Sequence, residues 1–371
     1  MTAWRRIFAL IVKELLAILR DKKSRIVLIG PPIAQLLVFG YAATFDLNNL
    51  AIAVYDQDRS AASRELIAKM TGSPHFELVA QVEHDAQIAP LIDNKDALMV
   101  LRIGPRFSET LLRGDTGAVQ VIIDGRNSNT ALLALSYVRS ILIDFNVTWA
   151  KQHGRPSPPA TLEIRPWYNE NLESRWFIVP GIVGLMALII TTVVTSLSVA
   201  REREAGTFDQ LLVTPLRPIE ILIGKSIPGM LIGLVEATFI LVLVVLWFEV
   251  PLRGSLGALY LGVLLFLLSA VGIGLMISSF AVTQQQGILG AFLFAVPAVI
   301  LSGFATPIDN MPDIVQQLTL INPMRYFMVI LRGVFLRGDS YGLLFEQFWP
   351  MAVIGVVSLA IAGWLFRHRM Y

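Results

Sequence analysis

The sequence predicts an α-helical polytopic membrane protein with six transmembrane helices and a large α/β extracytoplasmic domain between the first and second. Three observations carry this. The 371 residues are 55% hydrophobic and only 16% charged, against about 25% charged in an average soluble domain. The missing charge is absent from discrete stretches, each near the roughly 20 residues that a helix needs to cross about 30 Å of hydrocarbon. Between the first stretch and the others, residues 46–175 return to ordinary composition, with short strand-like and helical runs in alternation. A formal net charge of +2 without any basic, aromatic-interleaved patch gives no basis for a nucleic-acid partner. The absence of cysteine removes disulfides, thiolate metal sites and thiol nucleophiles.

Residues 1–25, MTAWRRIFALIVKELLAILRDKKSR, predict a cytoplasmic interfacial amphipathic helix. Trp4, Ile7, Phe8, Ile11, Leu15, Ile18 and Leu19 share one face at helical periodicity, with Arg6, Lys13 and Arg20 opposite, as in a helix lying along a bilayer surface. Residues 26–45 form the first transmembrane helix, whose apolar stretch is too long for a cleaved signal. In 46–175, strands are expected at 50–55, 76–80, 97–103, 119–124 and 161–166, and helices at 61–70, 85–92, 106–112 and 130–152, with Ser60 and Ser128 as N-caps. Residues 176–371 hold the other five spans, at 177–200, 227–248, 256–280, 287–306 and 348–366. The semi-apolar stretches within 307–347 are too short to span and predict an extracytoplasmic re-entrant segment.

The basic residues set the orientation. Arg5, Arg6, Lys13, Arg20, Lys22, Lys23 and Arg25 precede the first span; Arg201, Arg203, Arg217 and Lys225 separate the second from the third; Arg367 and Arg369 follow the last. An even number of spans puts these groups on one side, which the positive-inside rule makes cytoplasmic. Arg325, Arg332 and Arg337 count against this and are outweighed. Both termini are then cytoplasmic.

The most informative stretch is REREAGTFDQLLVTPLRP, residues 201–218. Four alternating charges close the second span; Thr207 and Gln210 then have capping-box spacing for a short helix from Phe208 that Thr214 and Pro215 stop. That helix would expose Leu211, Leu212 and Val213, an apolar patch suited to a partner surface or to lipid headgroups.

The run REREAGTFDQLLVTPLRPIEILIGK resembles the signature of ABC-2 type transporter permeases, E-x-E-x-G-T-x-x-x-L-L-x-x-P after the second span, which Glu202, Glu204, Gly206, Thr207, Leu211, Leu212 and Pro215 match. The layout of spans and inserted domain matches too, and within the family the chain looks most like the Ybh/Yhh-type multidrug export permeases. The resemblance implies a permease subunit of an ATP-binding cassette exporter in a bacterial inner membrane, effluxing small molecules or drugs. It implies that these residues, with Lys225, couple to a separate ABC ATPase subunit dimer, which holds ATP and Mg, and that a second permease, identical or paralogous, completes the path. A periplasmic adaptor protein and membrane lipids are further expected partners. Polysaccharide or lipid export is the alternative within the family; an ion-driven secondary transporter or a membrane receptor with an external sensing domain are the alternatives outside it.

No catalytic residue or cofactor of its own is expected. Gly224-Lys225-Ser226 imitates the end of a phosphate-binding loop, but Ile219 stands where the first glycine is needed. His75, His84, His153 and His368 lack metal-ligand spacing. Glu236 is the one acid well inside a span and, with Thr191, Thr192 and Gln35, is a translocation-path candidate. A charge at that depth costs roughly 2.5 to 3.5 kcal/mol and must face protein or water, so Glu236 either meets cargo or a proton, or bonds a neighbouring helix. The threonines have helix packing as their plainer role.

Overall fold

The computed structural model describes residues 3–20, 22–41, 49–154, 167–169, 173–208, 214 and 216–369. The expected strand at 161–166, and Gln210, Leu211, Leu212, Val213 and Pro215 of the signature, lie outside the described residues. The chain divides into two compact units, 45–165 and the remainder.

Among the described residues, the unit at 45–165 holds a four-stranded sheet of order β2-β1-β3-β4, formed by β1 (Leu50–Asp56), β2 (Phe76–Gln81), β3 (Met99–Ile103) and β4 (Val119–Ile123). Strands β2 and β3 run parallel to β1, and β4 pairs antiparallel with β3. Alternation along β1 fills both faces. Ile52 and Val54 pack with Leu66 of α3 (Ala61–Thr71), Phe107 of α5 (Phe107–Arg113) and Phe145 of α6 (Ser128–Gln152). Ala53 and Tyr55 pack with Ile88 of α4 (Ile88–Asp93) and Val100 on the other face. Ser60 caps α3 in a reciprocal box, its Oγ accepting from Ser63 N at 3.1 Å. The cap of α6 is Asn127, one residue before the expected Ser128, and its side chain accepts from Thr130 N.

Among the described residues five helices are long and apolar enough to cross a membrane, and Thr130–Gln152 is one of them. Hydropathy cannot separate it from a span, but Val138, Phe145 and Trp149 bury it against the sheet. The other four are α7 (Ser174–Glu204), α8 (Pro218–Leu246), α9 (Leu256–Phe280) and α13 (Tyr341–Arg369). The expected first span is met by a helix of the same length set four residues earlier, and the fifth is shorter as a helix. Helix α2 (Lys22–Tyr41) has a basic start followed by an apolar run. In α10 (Gln284–Ile300) the helix stops before Gly303, whose φ of +80° turns the chain. Helix α8 begins nine residues earlier than the span predicted at 227, because Pro218 suits a first helical position and Glu220 accepts from Arg217 N at 3.0 Å.

Residues Asp313–Ile321 and Pro323–Arg337 form a pair bent by 86°, containing α11 (Asp313–Leu318) and α12 (Pro323–Arg332). Asn322 makes the corner, accepting from Met324 N and donating to Ala298 O at the end of α10. Arg332 donates to Gly303 O and lies over the ring of Phe177, while Phe327 stacks on Phe266 of α9.

Helix α7 is the axis of the bundle, buried along nearly its whole length. Glycines let its neighbours approach. A Cβ on Gly229 of α8 would collide with Thr195 Cγ2, one on Gly233 with Thr191 Oγ1, and one on Gly274 of α9 with Thr195 Oγ1. These are the small-residue contacts that hold helices together where lipid supplies no hydrophobic drive. Gly229→Ala should therefore destabilise the bundle by about 1–3 kcal/mol, the usual cost of overpacking. Thr195→Ser in the same chain removes the colliding methyl and should restore most of the thermal midpoint measured in detergent.

Candidate functional site

The site is built at the end of α7. Helix α7 ends at Glu204, four residues beyond the span predicted to stop at 200. Gly206 has φ +68°, Gly206 N donates to Arg203 O, and Thr207 N donates to Glu202 O. This is a Schellman ending, which needs a residue free to adopt the left-handed region. The glycine-threonine pair of the signature is thus the stop of α7, and Thr207 Oγ1 also donates to Glu202 O.

Successive residues on a helix point about 100° apart, so the charges before that stop reach three directions. Glu202 points to α8 and to α1 (Ala3–Arg20). Arg203 donates to Ser279 O and Ala281 O at the end of α9 and lies over the Phe208 ring. Glu204 accepts from Gln284 N at 2.8 Å, satisfying the positive first turn of α10.

At the centre lies Lys225 of α8, only 2% exposed. Its Nζ is 3.0 Å from Glu14 Oε1 and 2.9 Å from Glu202 Oε2, and it donates to Ser198 O and Oγ. Ser198 Oγ donates to the second oxygen of Glu14, and Lys13 pairs with the second oxygen of Glu202. Burial pushes the Glu202 carboxyl up, but Lys225 and Lys13 outweigh it and hold it below the usual range. A second pair, Arg6 to Glu220 at 2.6 Å, fastens the start of α1 to the start of α8. Leu10, Val199, Phe208, Ile221 and Phe366 fill the space beside these pairs. Gly224 gives α1 room, since a Cβ there would collide with Leu10.

This corrects the expected face of α1. Ile7, Leu10, Glu14 and Ile18 are the buried stripe, while Trp4, Phe8 and Leu19 are exposed. Arg6 and Lys13, expected on the outer side, pair with carboxylates of other helices, although the Lys13 stem stays exposed. Sequence reasoning missed Glu14, Glu220 and Ser198. One signal was available: Glu14 interrupts the apolar spacing Ile7, Leu10, Ile18. Lys225 sits inside α8 and not in a loop, so the Gly224-Lys225-Ser226 imitation has no phosphate cradle.

The four path candidates are not brought into one cluster. Glu236 lies in the middle of α8, 8% exposed, with neither carboxylate oxygen finding a hydrogen bond. It lines a cavity of about 630 Å³ with Leu15 and Leu19 of α1, Leu28, Ile29 and Pro32 of α2, and neighbours on α8. Thr191 and Thr192 are enclosed within the helix packing, their hydroxyls unbonded, and Gln35 follows Pro32 by one turn with its Oε1 unbonded. Among the described residues no group of histidine or acidic side chains is arranged to hold a metal ion. His75, His153 and His368 lie against Tyr137, Trp149 and Trp364.

Long apolar helices joined by a buried charge cluster at one end define a multi-pass membrane protein. The chain belongs to the ABC-2 family transporter proteins, whose family model matches residues 22–364. It is 39% identical over 366 residues to the probable multidrug ABC transporter permease YbhR of Escherichia coli, covering 98% of this chain and 99% of that protein. The probable multidrug ABC transporter permease YbhS of the same organism is 35% identical over 343 residues, 91% and 90% of the two chains. The inner membrane transport permease YhhJ is 30% identical over 376 residues, 99% and 98%.

Removing one member of a buried ion cluster leaves the others uncompensated, at about 3–5 kcal/mol. Lys225→Met should lower the thermal midpoint accordingly, whereas Glu14→Leu with Lys225→Met keeps the Lys13–Glu202 pair and should recover most of the loss. The pH dependence has a definite sign. With its folded value below the ordinary glutamate value of about 4.3, Glu202 contributes fully above that pH and loses its contribution as the pH falls through the lower folded value. Thermal midpoints between pH 6 and 3 should fall more steeply for the wild type than for Glu202→Gln.

Proposed function

We propose that the chain is the permease subunit of an ATP-binding cassette exporter that effluxes small molecules or drugs. A separate ATPase dimer, holding ATP and Mg, powers it, and a second permease, identical or paralogous, shares the translocation path. The observation that carries this reading is the charge cluster at Lys225. It joins α1, α7 and α8 beside the 205–217 linker between the last two, and the signature residues Leu211, Leu212 and Pro215 belong to that linker. A partner that pushes on the linker acts on three helices at once.

In this reading α2, α7, α8, α9, α10 and α13 are the six crossings, the bent pair at 313–337 is re-entrant from the outside, and both termini are cytoplasmic in a bacterial inner membrane. Two aromatic groupings support the level of the interfaces. Tyr41 accepts from Trp247 Nε1 at the far ends of α2 and α8, and Trp4 and Trp364 are exposed near the other ends of the bundle helices. The sheet unit is then extracytoplasmic, available to a periplasmic adaptor protein. Glu236 is the path residue of this reading, and Thr191 and Thr192 pack the helices around it.

Docking is tested by Leu211→Asp with Leu212→Asp. The pair should abolish co-purification of the ATPase subunit while membrane insertion and the thermal midpoint are kept. Undiminished co-purification would contradict the docking assignment, and transport in liposomes without ATP and the ATPase would contradict the exporter reading.

A further inference from the structure

The cavity between α1, α2 and α8 has a composition that selects its occupant. Its walls are Leu15, Leu19, Leu28, Ile29, Leu231 and Phe239, and among the described residues its one ionisable lining group is Glu236. Its volume of about 630 Å³ lies in the range of small-molecule sites, which run from about 300 to 1,000 Å³. Leu19, Ile29 and Val235 are each more than half exposed, Val235 to 70%. In a bilayer that rim faces hydrocarbon, so the mouth admits only what is already dissolved among lipid tails.

The interior then makes the opposite demand. Both Glu236 oxygens are buried and unbonded, and among the described residues no cation pairs with them, whereas Glu14 and Glu202 of the same unit are ion-paired to Lys225 and Lys13. Buried carboxyls without partners are costly, and the cost is relieved by a donor, best by a cationic one. An apolar body with an ammonium group satisfies wall and carboxylate together.

We infer that this chamber is a lateral binding site for an amphiphilic ammonium compound, with the alkyl or aryl body along α2 and α8 and the ammonium on Glu236. This rests on the exporter reading and gives its path residue a cargo class. The same ammonium chemistry is available from a free amphiphile and from the amine headgroup of a lipid.

The test uses the full chain in phosphatidylcholine nanodiscs, titrated with a pyrenyl-alkyl primary ammonium and with the uncharged alcohol of equal chain length. The wild type should bind the ammonium about tenfold tighter than the alcohol, the scale of one charge-assisted hydrogen bond. E236Q should lose that preference and keep the alcohol affinity. V235W, which narrows the mouth, should weaken both ligands. Equal wild-type affinities, a preference retained in E236Q, or V235W binding both as before would each overturn the proposal. The wild-type preference and V235W decide it even where E236Q fails to assemble. Phosphatidylethanolamine added to the discs identifies the source: competition assigns the headgroup amine, and undiminished binding assigns a free amphiphile, both upholding the ammonium requirement. ATP-driven export of another cargo with no ammonium preference would overturn this inference and leave the exporter reading standing.

Discussion

Lys225 between Glu14 and Glu202 is the constraint on which the cytoplasmic end of the bundle depends. A single lysine in an apolar helix could not stay charged at 2% exposure without counter-charges, and the two that it has come from different helices. The cluster therefore fixes the position of α1 more firmly than its apolar stripe does. Burial of Ile7, Leu10 and Ile18 would permit α1 to slide by a turn; charge pairs at Arg6, Lys13 and Glu14 do not. The remaining features of this end follow from holding Glu202 in place. The left-handed Gly206 stops α7 just after it, and Glu204 fastens the next helix start so that α7 cannot rotate.

The same rigidity runs up the bundle by a different means. Threonines of α7 sit in glycine notches of α8 and α9, so these helices cross too closely to shift independently. A force applied at the linker between α7 and α8 is therefore received by a unit. This is the mechanical property that the proposed exporter reading requires, and it arises from side-chain volume and charge pairing.

Much of this was legible in the sequence, for identifiable reasons. The charge deficit located the long helices because crossing hydrocarbon leaves no alternative to apolar side chains. The signature residues were legible as a spacing, and Glu202 and Gly206 owe theirs to helix geometry. What escaped notice was partner choice. Helical periodicity places Arg6 and Lys13 outward because it sorts residues by polarity, and it does not see a carboxylate on another helix more than 180 residues away. Helix α6 shows the converse limit: its composition suits a membrane, and only its contacts with the sheet through Phe145 and Val138 decide otherwise. At Asn127 and Ser128 two good capping residues stand side by side, and the sequence holds no information to choose between them.

The two kinds of buried acid also explain how clamp and chamber could work together. Helix α8 carries Lys225 and Glu236 three turns apart, about 16 Å along the axis, so the clamp and the unpaired carboxyl sit on one helix, with Pro228 between them. Helix α1 contributes to both as well, through Glu14 to the clamp and through the adjacent Leu15 and Leu19 to the chamber wall. A displacement of α1 relative to α8 would break the Glu14–Lys225 pair and, in the same movement, shift one wall of the cavity around Glu236. Because Lys13 and Lys225 both hold Glu202, the lysine would retain one counter-charge during that movement. The Arg6–Glu220 pair also joins α1 to α8, so such a displacement would have to break or stretch that pair as well.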